Sequence, residues 1–542
     1  MPAAGETETR ILATGEMPGR PTAPAKALDG RRASGKTKEL SRPQSRTGIR
    51  MAAASVIAVA LAVSAYLFLS PGKSATAKNS IAVLPFANAG GDPNMEYLSD
   101  GITESLINSL SQLPNLAVKA RSTVFRYKGQ QPDPQKVGSE LNVQAVLNGR
   151  VVQRGDDLTL SLEMVDAKSG DHIWGEQYNR KLSDLVTLQG EIARDVTNRL
   201  RVKLSGADEQ RLAKNYTANT EAYQLYLRGR FHWNRRSAAD VRKSMEYFQQ
   251  AINRDPTYAL AYAGLAEAHI LMPGYAGVSP HDAFPKAKAA AAKALEIDDT
   301  LAEAHTALAD VRYEYDWDFA GAEGGFKRAI ELNPNNPTAH HWYGEYLMAE
   351  QRFEEALAEL KRAQELDPLS MIINSLLGLI YQFMGRHEEA LEQLKKTIEM
   401  DPNFPRAHLF LAQTYEHRGL FEEAISEYEK LSLLVGMPAE EVSRDARAMR
   451  QAYETRGASG YYRKQIEIYE RLRAAKSPFA PPPFVLAGLY AQLGEKEQAL
   501  ALLEKSYEQH DPALVRLKAG IFDPRRSDPR FADLMHKVGF PQ

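Results

Sequence analysis

Residues Gly30 to Thr37 read GRRASGKT and satisfy the phosphate-binding pattern G-x-x-x-x-G-K-[ST] at every fixed position. In such a loop backbone N–H groups cradle the phosphates, the lysine meets the outer ones and the hydroxyl meets magnesium. A strand must feed the loop, and a helix must start at once with its N-terminus facing the anion. Both flanks fail here. Upstream, PGRPTAPAKALD holds no alternating apolar run; downstream, KTKELSRPQSRTG has no apolar stripe and carries Pro43 in the second turn of any helix. No later strand ends in the acid that would hold the magnesium. The octet reads as a chance match in a basic tail, and an ATPase is not expected.

Three other groupings could do chemistry. Asp92, Glu96, Asp100 and Glu104 recur every four residues, so the last three share one helix face. They could bind a cation or a basic partner, but no histidine or distant acid completes a metal set, and a solvated acidic face is expected. His340 and His341 are adjacent, hence about 100° apart on a helix and poorly placed to share a metal; ordinary helix surface is expected. Arg31-Arg32-Ala33-Ser34 offers a basic-directed phosphorylation pattern of the kind any basic tail contains. No nucleophile elbow, kinase motif set or His-Glu zinc motif is present. The chain is therefore read as a non-enzyme with no metal or cofactor.

The elements that would position any site follow from composition. A chain of 542 residues is too long for one core, so several domains are expected. It has no cysteine, which excludes disulfides, thiolate catalysis and Cys-ligated metals. A net charge of −2 argues against a general nucleic-acid binder. The run MAAASVIAVALAVSAYLFL, Met51 to Leu69, is free of charge and long enough to cross the roughly 30 Å hydrocarbon core of a bilayer. Seven Lys and Arg residues lie in the twenty positions before it, and only Lys73 and Lys78 in the twenty after. The positive-inside rule then places residues 1–50, a disordered basic tail, in the cytoplasm, and the bulk of the chain across the inner membrane in the periplasm. Ala75-Thr76-Ala77 resembles a cleavage site, but the long segment before the run favours an uncleaved anchor.

The remainder divides in two. From about 79 to 205 the pattern is mixed α and β. SIAVLPF and LAVKA read as strands, residues 95–113 as a helix, and residues 143–180 as three strands turning at Gly155-Asp156 and Ser169-Gly170. A further helix from Ser183 turns Leu185, Leu188, Ile192, Val196 and Leu200 inward. From 215 to 438 the pattern is all helical and repeats. Pro334, Pro368 and Pro402 are 34 residues apart; Gly344 and Gly378 align, as do Tyr313, Tyr381 and Tyr415, and Ala322, Ala356, Ala390 and Ala424. Residues 259–299 carry an insertion around HILMPGYAGVSPHDAF, expected to bulge as a loop. Within residues 439–542 the helices become irregular around 447–475 and recover the pattern at 484–512, and the tail is expected to cap the exposed end of the stack.

This period and this small/large alternation resemble the tetratricopeptide (TPR) repeat. The fold class expected is mainly α: one transmembrane helix, a small α/β domain, then an α-α superhelix of TPR repeats. Residues 80–204 resemble the α/β domain at the N-terminus of TolB and in FlgO-like envelope proteins, through SIAVLPF, GGDPNMEYLSDGITESL and LNVQAVLNGRVVQRGDDLTLSLEMVDAKSGDHIWGEQY. Together the two parts look like the extracytoplasmic half of bacterial proteins whose membrane helix leads to a Ser/Thr kinase, an adenylate cyclase or a winged-helix domain. The resemblance implies that positions 2, 5, 9 and 12 of each first helix face a concave groove. These are Thr338, His341, Glu345 and Met348; Ile372, Ser375, Leu379 and Gln382; and Arg406, Leu409, Gln413 and Glu416. The mixture lacks the lysine/asparagine set that clamps a C-terminal carboxylate, so side-chain contacts with a segment of an envelope protein are expected. The function expected is a membrane-anchored scaffold, with the α/β domain docking a second protein or spacing the groove from the membrane. The alternative is the sensory half of a system acting through a separate cytoplasmic effector.

Overall fold

The computed structural model describes residues 79–540 apart from positions 215, 236, 519 and 526. The basic tail, the phosphate-loop match and the apolar run 51–69 lie outside the described residues. Among the described residues no helix is long and apolar enough to cross a membrane. They belong to one unit, Thr76–Gln542.

Strand β1 (Asn79–Val83) lies between β3 (Leu116–Val118) and β4 (Ala145–Arg154), parallel to both. A strand paired on both sides and covered on both faces needs a continuous apolar run, and Ile81, Ala82 and Val83 are fully buried. From β4 the sheet continues as an antiparallel meander through β5 (Asp157–Asp166) and β6 (His172–Lys181), while β2 (Ala87–Asn88) pairs with β4. Gly155 and Gly170 take the positive φ values of the two hairpin turns. Helices α1 (Glu96–Ser111), α2 (Arg121–Val124), α3 (Pro134–Leu141) and α4 (Leu185–Arg199) complete the layer, with Leu185, Leu188, Ile192 and Val196 buried as their spacing predicts.

After α5 (Gly206–Ala213) the chain is a succession of antiparallel helix pairs: α6 (Thr220–Trp233) with α7 (Ala238–Arg254), α8 (Ala259–Ala276) with α9 (Pro280–Ile297), and α10 (Ala302–Val311) with α11 (Phe319–Leu332). The regular units follow as α12 (Pro337–Ala349) with α13 (Phe353–Leu366), α14 (Met371–Phe383) with α15 (His387–Met400), and α16 (Pro405–His417) with α17 (Phe421–Leu434). The small residues mark helix crossings. A Cβ on Gly344 would stand 2.8 Å from Leu360 Cγ, and one on Gly378 2.4 Å from Leu394 Cγ, while Ala322, Ala356, Ala390 and Ala424 are fully buried. Tyr381 and Tyr415 are half-buried, and Pro368 and Pro402 stand in the turns between units.

The period also governs buried polar groups. His340, with Nδ1 2.5 Å from Glu359 and Nε2 3.0 Å from the Pro334 carbonyl, is matched 34 residues on by Asn374. There the amide donates to the Pro368 carbonyl (2.9 Å) and accepts from Gln393 (2.9 Å). His408 repeats the first arrangement with Glu427 (2.6 Å) and the Pro402 carbonyl (2.9 Å). Each set ties the turn before a unit to its second helix, and each fills polar valences that burial would otherwise leave open.

Two expectations need correction. The segment HILMPGYAGVSPHDAF does not bulge: α8 runs on to Ala276, Gly277 stops it at φ 63°, and α9 begins at Pro280. Prolines at 273 and 285 sit inside the two lengthened helices, so the extra residues are absorbed by helix length. The segment 447–475 is a helical hairpin. Within α18 (Ala439–Ala474) the chain reverses at Gly457 (φ 60°, ψ −151°), which lets Arg471 reach back to Asp445. Two more helices, α19 (Pro483–Gln492) and α20 (Lys496–Glu508), and the terminal α21 (Pro529–Lys537) follow.

The superhelix does not stay open. Its C-terminal segments turn back onto the third and fourth helix pairs: His510 Nε2 lies 2.9 Å from the Tyr315 carbonyl, Lys518 pairs with Glu350 at 2.7 Å, and Phe540 stacks on Phe319 at 4.7 Å. The tail therefore joins two distant parts of the stack besides packing on α20. At the junction Trp317 occupies the left-handed turn (φ 56°) that Gln351, Gly385 and Gly419 occupy in the next three units. That conformation costs a non-glycine residue about 1–2 kcal/mol. Stacking on His510 (4.2 Å) and Tyr507 (5.3 Å) is of the size that offsets it, at about 0.5–1.5 kcal/mol per aromatic pair.

Candidate functional site

Closure turns the expected groove into a cavity of about 2690 Å³, some threefold above the upper end of the ~300–1,000 Å³ of small-molecule pockets. Its wall includes the concave sides of the helix pairs, the C-terminal 3₁₀ turns and part of the α/β domain. Thr338, His341, Glu345, Met348, Ile372, Leu379, Gln382, Arg406, Leu409, Gln413 and Glu416 all line it. Ser375 does not: it is fully buried, and its hydroxyl donates to the Met371 carbonyl at 2.8 Å. Several of the others are less open than a groove surface would be. Leu379 and Met348 are core residues, and Gln382 accepts a hydrogen bond from the Thr414 hydroxyl at 2.7 Å.

The α/β domain packs directly on the repeats. The buried amide of Asn335 points at the carbonyls of Ser111, Leu113 and Leu116, at 3.0–3.1 Å, and the Ala120 N–H donates to the Leu366 carbonyl. Asp367 accepts from the hydroxyls of Ser122 and Thr123. The turns between repeats are thus the seats of the domain.

The acidic face expected in solvent is the second seat. Asp100 and Glu104 are buried where α1 meets α6, and a lattice of charges holds them. Glu104 pairs with Arg121 (3.0 Å) and Arg230 (2.8 Å) and accepts from Asn234 (2.7 Å); Arg230 also reaches Glu267 on α8 at 2.7 Å. Asp100 pairs with Lys128 at 2.6 Å. Burial pushes the Glu104 carboxyl up, but the two guanidinium groups outweigh it and hold it below the ordinary range. The row was legible as a face; its cations came from residues 17 to 126 positions away.

A second group of acids lies in the cavity wall with too few cations. Asp310, on α10, has 6% of its surface exposed; its Oδ2 is buried without a hydrogen-bond partner. Burial, reinforced by Glu314 and Glu345, pushes its carboxyl well above the usual range. Burial and then the Glu345 charge raise Glu314 to about 7. Glu345 goes the other way, to about 2, because His341, Arg406 and Arg516 together outweigh its burial. On the far wall Glu416 is raised by burial to about 7 although the Tyr461 hydroxyl donates to it at 2.6 Å. His341, expected on the surface, is buried 3.1 Å from Glu345. His340 is also buried, and no set of three His, Asp or Glu among the described residues could hold a metal.

Asp310 was hidden by strict counting. A 34-residue period puts Val311 at the position of Glu345, yet Ala309, not Asp310, packs on the partner helix at Gly325. The third unit is therefore offset by one residue, which the π-helical turn Arg312–Asp316 absorbs. A carboxylate takes the concave position as a result.

Residues 318–378, 375–433 and 484–505 match tetratricopeptide repeat models. Residues 77–195 match the family described as HilA/YgeH-like transcriptional regulator, second domain, where the sequence reading pointed to TolB and FlgO-like proteins. A putative adenylate cyclase 3 of Rhizobium meliloti (strain 1021) is 36% identical over 244 residues, which are 44% of this chain and 41% of that protein. The transcriptional regulator HilA of Salmonella typhimurium is 23% identical over 292 residues, 53% of this chain and 51% of that one. The chain thus spans two fifths to one half of the length of these relatives. Among solved structures, YrrB, a TPR protein with an unusual peptide-binding site, is 24% identical over 37% of this chain and 97% of its own, with a TM-score of 0.26. Pseudomonas aeruginosa pilF is 20% identical over 50% and 99%, with a TM-score of 0.29. The chain carries tetratricopeptide repeats over the matched residues, and repeats of this kind imply protein partners.

Proposed function

We propose that the chain is a membrane-anchored extracytoplasmic scaffold whose closed TPR cavity holds a segment of a partner protein. One observation carries the binding role. Of the seven large apolar side chains left exposed among the described residues, four line this one cavity: Tyr275, Phe383, Val435 and Val485. Apolar surface gathered in one concavity marks a place where something docks. The cavity is too large for a small metabolite and of a size for a chain segment. The anchor and the orientation rest on the uncharged run 51–69 and the excess of Lys and Arg before it. No catalysis and no nucleic-acid contact are part of this reading.

The test is crosslinking in cells with mass spectrometry on the tagged full-length chain. Leu379→Glu would be a poor control, because Leu379 belongs to the core. Phe383→Glu with Val485→Glu changes only cavity-facing, exposed side chains. Envelope partners lost in that variant are the expected result; partners unaffected by it would remove the cavity from the account.

A second reading, a sensory half acting through a separate cytoplasmic effector, is favoured by the names of the two relatives, a cyclase and a transcriptional regulator. Deleting residues 2–40 would then abolish a cellular response while leaving crosslinks to the cavity intact.

A further inference from the structure

We propose that the segment held in the cavity places a basic side chain, an arginine or lysine, between Asp310, Glu314 and Glu345. The inference rests on the reading of the cavity as a peptide-binding site and specifies what that site selects.

The three carboxyls come from three pieces of chain: α10, the π-helical turn that follows it, and α12. Their charges act on one another, and the cations opposite them, Arg406 and Arg516, are on exposed side chains. Glu345 has His341 as a close partner; among the described residues no ion pair within 4.0 Å is made by Asp310 or Glu314, although Arg516 and Arg406 act on Glu314 at longer range. Asp310 is the sharper sign. A buried carboxyl oxygen without a donor is expensive to keep, and a fold normally supplies one. The same chain supplies donors to Glu104 and Asp367, while Asp100, Asp298, Glu350 and Asp511 also keep one buried carboxyl oxygen without a hydrogen bond; Asp310 differs from them in lying beside two further acids in the cavity wall.

A second polar group in the cavity lining, on the helix whose Tyr461 bonds Glu416, also has an unfilled acceptor. Gln465, 4% exposed, has its Oε1 buried and without a partner. Asp310 and Gln465 both line the cavity, and each keeps a buried acceptor without a hydrogen-bond partner. A metal does not suit them, since no three ligands converge among the described residues. A guanidinium does: it carries five donors in a planar fork and can meet carboxyls arriving from different helices. An ammonium would satisfy the charge with less geometric demand. The raised carboxyls of Asp310 and Glu314 agree with a pocket that waits for a cation, since its arrival would draw off their protons.

The experiment is affinity selection, read by mass spectrometry, from a synthetic library of random decapeptides on the full-length protein. The expected outcome is a set of peptides sharing one fixed Arg or Lys among apolar residues. Replacing that residue by citrulline or norleucine should weaken binding tenfold or more. Selection on Asp310→Asn with Glu314→Gln should keep the apolar preference and lose the basic one. Glu314→Gln alone, an exchange of near-equal size, carries the same test if the double variant does not fold. Selected peptides without a fixed basic residue, or with the same one in the variants, would overturn the inference and leave the peptide-binding reading standing. If no peptide were retained, both would fall.

Discussion

Two groups of buried acids, Glu104 with Glu267 at the first helix pair and Asp310 with Glu314 at the third, share residue type and helix setting but not partners. Arg230 joins the first pair at 2.7–2.8 Å, and Arg121 adds a further contact to Glu104. Among the described residues the second group has no guanidinium bonded to it, only the longer-range action of Arg516 and Arg406 on Glu314. The same desolvation acts on both, so what separates them is the chain's own supply of cations. The first group is satisfied within the fold and fastens the α/β domain to the repeats. In the second, Asp310 keeps a buried oxygen without a hydrogen-bond partner among the described residues, the place where we propose that a basic side chain of a partner enters.

The sharpest way to break this comparison is to remove the shared cation of the first group. Arg230→Met should cost about 3–5 kcal/mol, because it leaves Glu104 and Glu267 buried with less compensation than folding assumed. Urea unfolding followed at the α/β domain and at the repeats would report it, and a loss under about 1 kcal/mol would show that the lattice is not the fastener.

The two groups should also answer pH with opposite signs. The Glu104 carboxyl is held below its ordinary value, so its contribution is present above about pH 4.5 and lost as pH falls further. Glu314 and Glu416 are raised to about 7, so theirs is present below about pH 4.5 and lost as pH rises through 7. Glu314→Gln should therefore be stabilising by about 1–3 kcal/mol near pH 8 and nearly neutral near pH 4. Glu104→Gln should be destabilising near pH 8 and lose most of that effect near pH 3. Thermal unfolding across this range decides it, and parallel profiles for the two variants would erase the distinction.

A smaller effect sharpens the point that partners, not burial, decide. His408→Asn alone should cost about 1–3 kcal/mol by leaving Glu427 Oε2 without its donor, Lys430 remaining on Oε1. Adding Glu427→Gln rebuilds the Asn374–Gln393 pair of the preceding unit and should recover most of the loss. A double-mutant cycle measures the recovery, and strict additivity would mean that the two arrangements are not equivalent.

Much of the architecture was legible because it is periodic. Spacing of 34 residues located the helix pairs, the glycines at their crossings and the alanines of the second helices; alternating runs located the strands. Glycine at 344 and 378 could be understood from the sequence alone, since only a missing Cβ lets Leu360 and Leu394 come so close. The groove positions were implied by the resemblance to TPR repeats, and all but Ser375 line the cavity. What counting could not reach was any feature that depends on a departure from the period. The one-residue offset that brings Asp310 to the concave side is one case, and the reversal at Gly457 is another.

The sequence by itself determined the local elements and their repetition, because helix crossings and turns involve residues a few tens of positions apart and recur with each unit. It also determined that acids would share a helix face at Glu96, Asp100 and Glu104. Tertiary structure alone decided whether such acids would be paired or left open, because Arg230 and Arg121 reach Glu104 from other elements. It alone decided that the superhelix closes, through Trp317 against His510 and Phe319 against Phe540, contacts between residues about two hundred positions apart. Period and propensity act over short range; charge compensation and closure depend on which distant surfaces meet.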